Sequence, residues 1–305
     1  MDPFFSVIIP TYNQDSFLIK CLDSLEKQTF NDFETIIIDN FSKDNTEKIS
    51  QSFSKYKIYK KFNNDGIIGK SRNIGTKLSR GKWLAFLDTD DLWTQNKLED
   101  VYNEINKLDF DVFCNSEWII SEKKNLRDLW IYGHYGKSNI YKKMLTFGNC
   151  FSTSASIIKK KFLIEKNIYF NEDKKFVTAE DYDFFLNIVN NKGKVCFYNK
   201  PLGYHTFHEA SASANREKHL KHIIEVKKQH IFHVQKFTKN KKKLWKNMEK
   251  ILFMQENIIN FKKNSKKFFF VIFMSFIYNP LNFVQIIYFF FKKYFLQKIY
   301  FLKYK

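Results

Sequence analysis

Three carboxylates follow an apolar run in WLAFLDTDDLW (Trp83 to Trp93): Asp88, Asp90 and Asp91. Like charges this close raise the cost of ionising one another. Alternate carboxylates leaving a strand can gather several oxygens around a hard divalent cation, Mg2+ or Mn2+, and that cation can hold a diphosphate. The plain alternative is a solvated turn that caps a helix starting near Thr94. Two other strand ends carry comparable groups. Pro10, Thr11, Tyr12 and Asn13 (PTYN) follow one apolar run and present backbone groups to a ligand edge. Asp39 closes another run, where a carboxylate can accept from a base N–H; alternatively Asp39, Ser42 or Asp44 starts the next helix.

These groups act together only if their strand ends meet. Residues 1–115 alternate strand and helix. FSVIIP, FETIIID, the weaker KIYKKF, KWLAFLD and DVFCN read as strands. Helical patterns separate them, the first with Phe17, Leu18, Cys21, Leu22 and Leu25 at helical spacing. That alternation predicts βαβ units and an α/β fold with a mostly parallel central sheet flanked by helices. Ligands of such sheets sit beyond the carboxyl ends of the strands, and Pro10–Asn13, Asp39 and Asp88–Asp91 all fall there. Residues 116–213 are less regular, with a strand and helix in SASIIKKKFLIEKNIYF, a helix in AEDYDFFLNIVNNKG, and strands KVCFY and PLGYHTF. No G-x-G-x-x-G follows a strand, which disfavours a nicotinamide enzyme, and no N-terminal Gly-rich phosphate loop suggests a nucleotidyltransferase.

In order and spacing, SVIIPTYNQDSFLIKCLDSLEKQTFNDFETIIIDNFSKDNT and GKSRNIGTKLSRGKWLAFLDTDDLW resemble the family 2 glycosyltransferases of bacterial surface-polysaccharide type, inverting enzymes of GT-A fold. The resemblance is close over residues 4–115 and looser to about 213. Gln28 matches the family's Gln before the second strand. Asp39, Asn40, Phe41, Ser42 and Asp44 match its D-D/N-G-S-x-D segment, with Phe41 where Gly is usual. Arg72, Asn73 and Gly75 match A-R-N-x-G, and Asp88–Trp93 match D-S-D-D-x-W.

The resemblance implies a metal-dependent enzyme with a nucleotide-sugar donor, a UDP-sugar. Asp39 would accept from the uracil-type base, and Pro10, Thr11 and Tyr12, with Asn13, would line base and ribose. Asp88 would face the ribose and Asp90 the metal, with Asp91 beside them; the division among the three stays open at this level. Arg72 and Asn73 would lie near the nucleotide, a surface salt bridge being the alternative for Arg72. The family's general base lies in an E-D pair, matched by Glu180–Asp181. Asp181 would be the base and Glu180 would touch the acceptor, with Asp183 as rival base. His208, Ser211 and Ser213 match the family's closing H-x-x-S-x-S, whose His can join the metal, whereas His205 and Thr206 stand where Tyr and Arg are usual. The implied reaction is hexosyl or N-acetylhexosaminyl transfer to a lipid-linked or cell-surface glycan. The rival from another class is a non-catalytic, membrane-docked nucleotide-sugar binding module.

The chain has 305 residues and a net charge of +19. Residues 1–213 hold 30 Lys+Arg against 28 Asp+Glu, and residues 214–305 hold 21 against 4. This contrast predicts a catalytic domain over 1–213, with a nucleotide-sugar half (1–115) and an acceptor half (116–213), followed by a basic, aromatic-rich helical extension over 214–305. Within the extension, Phe268–Phe291 is apolar between lysine pairs and carries Asn279–Pro280 at its middle. A single span of the bilayer, an interfacial or re-entrant arrangement, and packing on the catalytic domain or a second subunit are the candidates; the lysine pairs favour an anionic membrane surface. Solid apolar runs such as FFFVIF do not suit a nucleic-acid groove. The four dispersed cysteines are expected to be reduced. The start, MDPFFSVIIP, reads without a secretory signal. The expected location is therefore cytoplasmic, peripheral on the inner face of the cell membrane, and a homo-oligomer is compatible with the chain.

Overall fold

In the computed structural model, which describes residues 2–53, 57–63, 65–121, 126–208, 211, 214–260 and 280–304, the first four strands form one parallel ladder. β1 (Phe5–Thr11) pairs with β2 (Phe33–Asp39) and β4 (Trp83–Phe86), and β2 pairs with β3 (Lys57–Lys61). Both β1 and β2 are buried along their whole length, as strands covered on both faces must be. Helices α1 (Asp15–Glu26), α2 (Thr46–Ser52) and α3 (Ile68–Leu78) supply the crossovers, and α4 (Lys97–Lys107) is the next helix along the chain. Side chains alternate between two cores. Ile8, Ile36, Ile38 and Leu84 face one core, while Val7, Ile9, Ile37 and Ala85 face the other. Gly75 lets α3 lie against the sheet, since a Cβ there would stand 2.4 Å from Ile8 Cγ2.

The second half completes a nine-stranded sheet with β5 (Leu92–Trp93), β6 (Val112–Ser121), β7 (Leu126–Trp130), β8 (Ser156–Lys159) and β9 (Val195–Thr206). The order is β3-β2-β1-β4-β8-β6-β9-β5, with β7 pairing β6. β6 and β9 run in the sense of β1–β4, whereas β5, β7 and β8 run against it. Helices α5 (Ile140–Phe147), α6 (Lys160–Glu165) and α7 (Glu180–Asn190) cover this half, followed by α8 (Arg216–Gln229), a π turn (His230–Val234), α9 (Lys241–Asn260) and α10 (Pro280–Tyr304).

Several elements differ from the local reading. KVCFY and PLGYHTF form one strand, β9, which keeps pairing with β6 through irregularities around Ser116. β7 and α5 were not foreseen, and DLW forms a short strand instead of leading straight into a helix. α4 starts at Lys97 with Asn96 at its N-cap, so Asp88, Asp90 and Asp91 cap nothing there.

After residue 213, Val226, Ile231, Met248 and Ile251 enter the same core as α7. Among the described residues this part of the segment therefore packs into the main body. In the apolar stretch Phe268–Phe291, residues 268–279 lie outside the described residues, as does Ser213; the remainder opens α10. Among the described residues no helix is long and apolar enough to cross a membrane. All four cysteines are buried and unbridged.

Candidate active site

Beyond the carboxyl ends of β1 and β4 lies a cleft of about 580 Å³, whose walls include Pro10, Thr11 and Tyr12, all three aspartates of DTDD, and the pair Glu180–Asp181. The DTDD loop is held from three sides. Thr89 Oγ1 donates to Pro10 O at 2.7 Å, and Asp88 N donates to Ser154 Oγ at 3.1 Å. Buried Lys97 donates to Ser154 O at 2.6 Å, and Trp93 Nε1 donates to the same oxygen at 2.9 Å. The pairing of β5 with β9 then brings the end of β9 under the loop.

Each aspartate has a different partner. Asp91 is buried, accepts from Thr206 N at 3.0 Å and lies 3.1 Å from His205 Nδ1. Burial opposes its ionisation, yet His205, with hydrogen bonds from Ser154 and Thr206, holds its carboxyl below the usual range. Burial also works against charging His205, but Asp91 wins and raises the imidazole to about 10. Asp90 meets His208 Nε2 at 2.8 Å. Its carboxyl is pushed up to about 6 by burial, then by Asp91 and Asp88. Phe17 stacks on His208 with centroids 4.8 Å apart and steadies the ring. Asp88 receives Arg72 Nη2 at 2.6 Å.

Arg72 is the hinge pin between the two acidic groups. Its other terminal nitrogen donates to Glu180 Oε1 at 2.6 Å, and the guanidinium is buried. Its Nε has no hydrogen-bond partner among the described residues, nor has buried Thr11 Oγ1 on the same cleft wall. Buried polar groups are rarely left so. Burial pushes Glu180 up to about 8 and neighbouring Asp181 adds to this, while Arg72 pulls it down. Asp181 is raised by burial against the pull of Arg72 and His219, and it accepts from Asn149 Nδ2 at 3.0 Å.

Other residues singled out in the sequence lie off the cleft wall. Asp39 is buried beneath it, accepting from Ser42 N at 3.0 Å, Ser42 Oγ at 2.5 Å and Tyr59 Oη at 2.7 Å; neighbouring Asn40 lines the cleft. Asn13 staples two strand ends: its Oδ1 accepts from Lys43 N at 2.9 Å and its N donates to Ser42 Oγ at 2.8 Å. Asn73 clamps the loop before α7, bonding Phe170 N at 2.9 Å and Phe170 O at 2.8 Å. Asp183 turns away from the cleft to His230 (3.0 Å) and Asn187 (3.1 Å). Phe41, in the place of the usual Gly, keeps φ at +57°. The loop thus retains the left-handed turn that Gly favours, at a cost for a bulky residue.

Trp130, Tyr132, Ser154, Lys97 and His219 were missed by sequence reasoning. His219 sits in a helix that reads only as Lys-rich, and Lys97 carries no local mark of burial. The Thr178 main-chain N–H points at His222 Nδ1 (3.2 Å), so that nitrogen is an acceptor. The Thr178 hydroxyl lies 2.8 Å from His222 Nδ1 and 3.2 Å from His219 Nδ1, so it bridges the two imidazoles. His219 also lines the cleft.

The mixed α/β sheet, with acids gathered at its strand ends, has the GT-A fold. The sequence profile described as Glycosyl transferase family 2 matches residues 6–164, and the chain belongs to that family. An uncharacterized glycosyltransferase of Rickettsia prowazekii is 30% identical over 187 residues, 60% of this chain and 58% of that protein. The poly(ribitol-phosphate) beta-N-acetylglucosaminyltransferase TarP of Staphylococcus aureus is 32% identical over 61% of this chain and 57% of its own. The chain thus spans little more than half the length of these relatives. The crystal structure of S. aureus TarS 1-349 in complex with UDP-GlcNAc superposes with a TM-score of 0.65 at 21% identity, covering 94% of this chain and 84% of that one. At that identity the likeness concerns the fold.

Proposed function

We propose that this protein is a metal-dependent, inverting glycosyltransferase that moves a sugar, of hexosyl or N-acetylhexosaminyl class, from a UDP-sugar to a lipid-linked or cell-surface glycan. One observation carries the proposal: Arg72 joins Asp88 of the strand-end cluster to Glu180 of the E-D pair within one cleft. Donor-side and acceptor-side acids are thereby held in fixed relation. The unpartnered Arg72 Nε and Thr11 Oγ1 are donors suited to a polar, anionic ligand. TarS crystallised with UDP-GlcNAc and the name of TarP both support a UDP-sugar donor.

Asp181 takes the proton of the acceptor hydroxyl as that oxygen attacks the anomeric carbon and the bond to the diphosphate breaks. Its raised pKa suits a base that must accept a proton, and Asn149 fixes its other contact. Glu180, tied to Arg72, positions the helix start and faces the acceptor.

No three His, Cys, Asp or Glu side chains among the described residues form a cage for an ion. Mg2+ and Mn2+ at nucleotide sites need none, since one or two protein ligands are completed by phosphate oxygens and water. Asp90 and His208 fit that role, with a carboxylate oxygen and an imidazole nitrogen converging at 2.8 Å. A bound cation would neutralise the leaving diphosphate.

The basic extension supports a peripheral position on the inner face of the cell membrane, where a lipid-linked acceptor would be presented.

The test is a thermal-shift screen of nucleotide-sugars with Mn2+ or Mg2+, followed by transfer or hydrolysis assays of Asp181→Asn. Stabilisation by a UDP-sugar, with turnover lost and donor binding kept in the variant, is the expected result. If no nucleotide-sugar stabilises the protein with either metal, the proposal fails. Donor binding without turnover in the wild type would favour the non-catalytic module.

A further inference from the structure

The two sides of α10 have different surroundings. On one side Leu296, Tyr300 and Tyr304 pack against Trp118, Leu129 and Ile131, and Asn199 Nδ2 donates to Tyr300 Oη at 2.9 Å. Further up, the Phe289 ring lies 5.1 Å from that of Tyr135. Lys293 Nζ sits 5.2 Å from the ring centroid of Trp130, which lines the cleft. The helix is thus seated on the catalytic body just behind a cleft wall.

On the other side Val284, Tyr288, Phe295, Ile299 and Leu302 are all exposed, Phe295 by 65% and Leu302 by 78%. At 3.6 residues per turn these five fall within an arc of about 60°. Lys298 lies at one edge of the arc, and Lys292 and Lys303 lie at the other. Residues 257–305 contain nine Lys and no Asp or Glu. An apolar stripe edged by cations, in a segment without acids, is the chemistry of a helix lying in an anionic lipid interface. A second copy of the chain would bring like charge against like. Insertion end-on would bury Lys292, Lys293 and Lys298 in hydrocarbon, at a cost of several kcal/mol.

We propose that α10 is a two-sided strap: the Leu296–Tyr300 side grips the catalytic sheet and the Phe295–Leu302 side lies in an anionic bilayer surface. Because the gripping side backs Trp130, the strap holds the cleft in one orientation to the membrane. This inference deepens the peripheral placement proposed above by naming the binding face. It requires no catalysis, so failure of either idea leaves the other testable.

The experiment is flotation of the full chain with vesicles of phosphatidylcholine alone or with phosphatidylglycerol added. Binding to the anionic vesicles, weakened by salt and at least tenfold lower with phosphatidylcholine alone, is expected. Phe295→Ser with Leu302→Ser should lower binding at least tenfold while the UDP-sugar thermal shift is kept. Lys298→Glu with Lys303→Glu, at two exposed positions, should each contribute a loss of about fivefold. Wild type that stays in the pellet with anionic vesicles overturns the proposal. So does undiminished binding of both double variants, or an exposed stripe that instead mediates a dimer abolished by Phe295→Ser.

Discussion

Arg72 Nη1 donates to Glu180 Oε1 at 2.6 Å across 108 positions of sequence. Arg72 is buried and shared with Asp88, so one planar cation binds acids from two separate segments. Only a guanidinium presents two donors in a fixed fork.

Arg72→Lys should therefore keep one of the two contacts at most. Arg72→Ala leaves two carboxylates without their partner, which for buried pairs costs about 3–5 kcal/mol. At about 2–4 °C per kcal/mol for a chain of this size class, the melting point should fall by roughly 10 °C, with Lys intermediate. Calorimetry or fluorimetry of both variants checks this, and an unchanged melting point would show that the pair is not formed.

Asp181 must be ionised to act as base. Burial raises its pKa, so turnover should decline as pH falls through a value above the ordinary carboxylate range of 3.8. His219 pulls the other way, so His219→Ala should move this acidic limb to higher pH. The rate profile of wild type and variant over pH 4–9 decides it. A limb that does not move would take His219 out of the electrostatics of the base.

Asp90 and His208 should act as one unit toward a divalent ion. Replacing a group that only supports a ligand costs about 10–100-fold in affinity, so Asp90→Asn or His208→Gln should weaken Mn2+-dependent stabilisation by at least about tenfold. Titrating Mn2+ in the presence of UDP, followed by melting point, measures this. Equal Mn2+ dependence in wild type and both variants would place the ion elsewhere.

Phe41 holds φ at +57°, an orientation that costs a bulky L-residue about 1–2 kcal/mol. Phe41→Gly removes the strain and adds about 0.5–1 kcal/mol of unfolded-state entropy. A net gain of up to about 1 kcal/mol, or about 2–4 °C, is expected. If UDP affinity also falls, the ring contributes to the nucleotide site.

Much of the architecture was legible in residues 1–115, because each buried strand is a short apolar run closed by a turn and each helix shows its own period. The second half was harder. β7 lacks a clear apolar pattern, and β9 holds Pro201 and Gly203 inside a single strand, which split it in a local reading. The candidate base pair was legible as E-D at a helix start, but the inward turn of Asp183 toward His230 was not, since its partner lies 47 positions further along the chain.

By itself the sequence determined the ordered motifs, the strand ends that carry acids, and the segregation of positive charge after residue 213, all of which are local properties of the chain. Tertiary structure alone decided the pairings: Asp90 with His208, Asp91 with His205 and Arg72 with Glu180, each more than a hundred positions apart. It also placed Asp39 and Asn73 behind the cleft wall. Those outcomes depend on the registers of β5 and β6 against β9 and on how α7 packs over the sheet. These are set by the summed burial of two cores, and no local spacing encodes that sum.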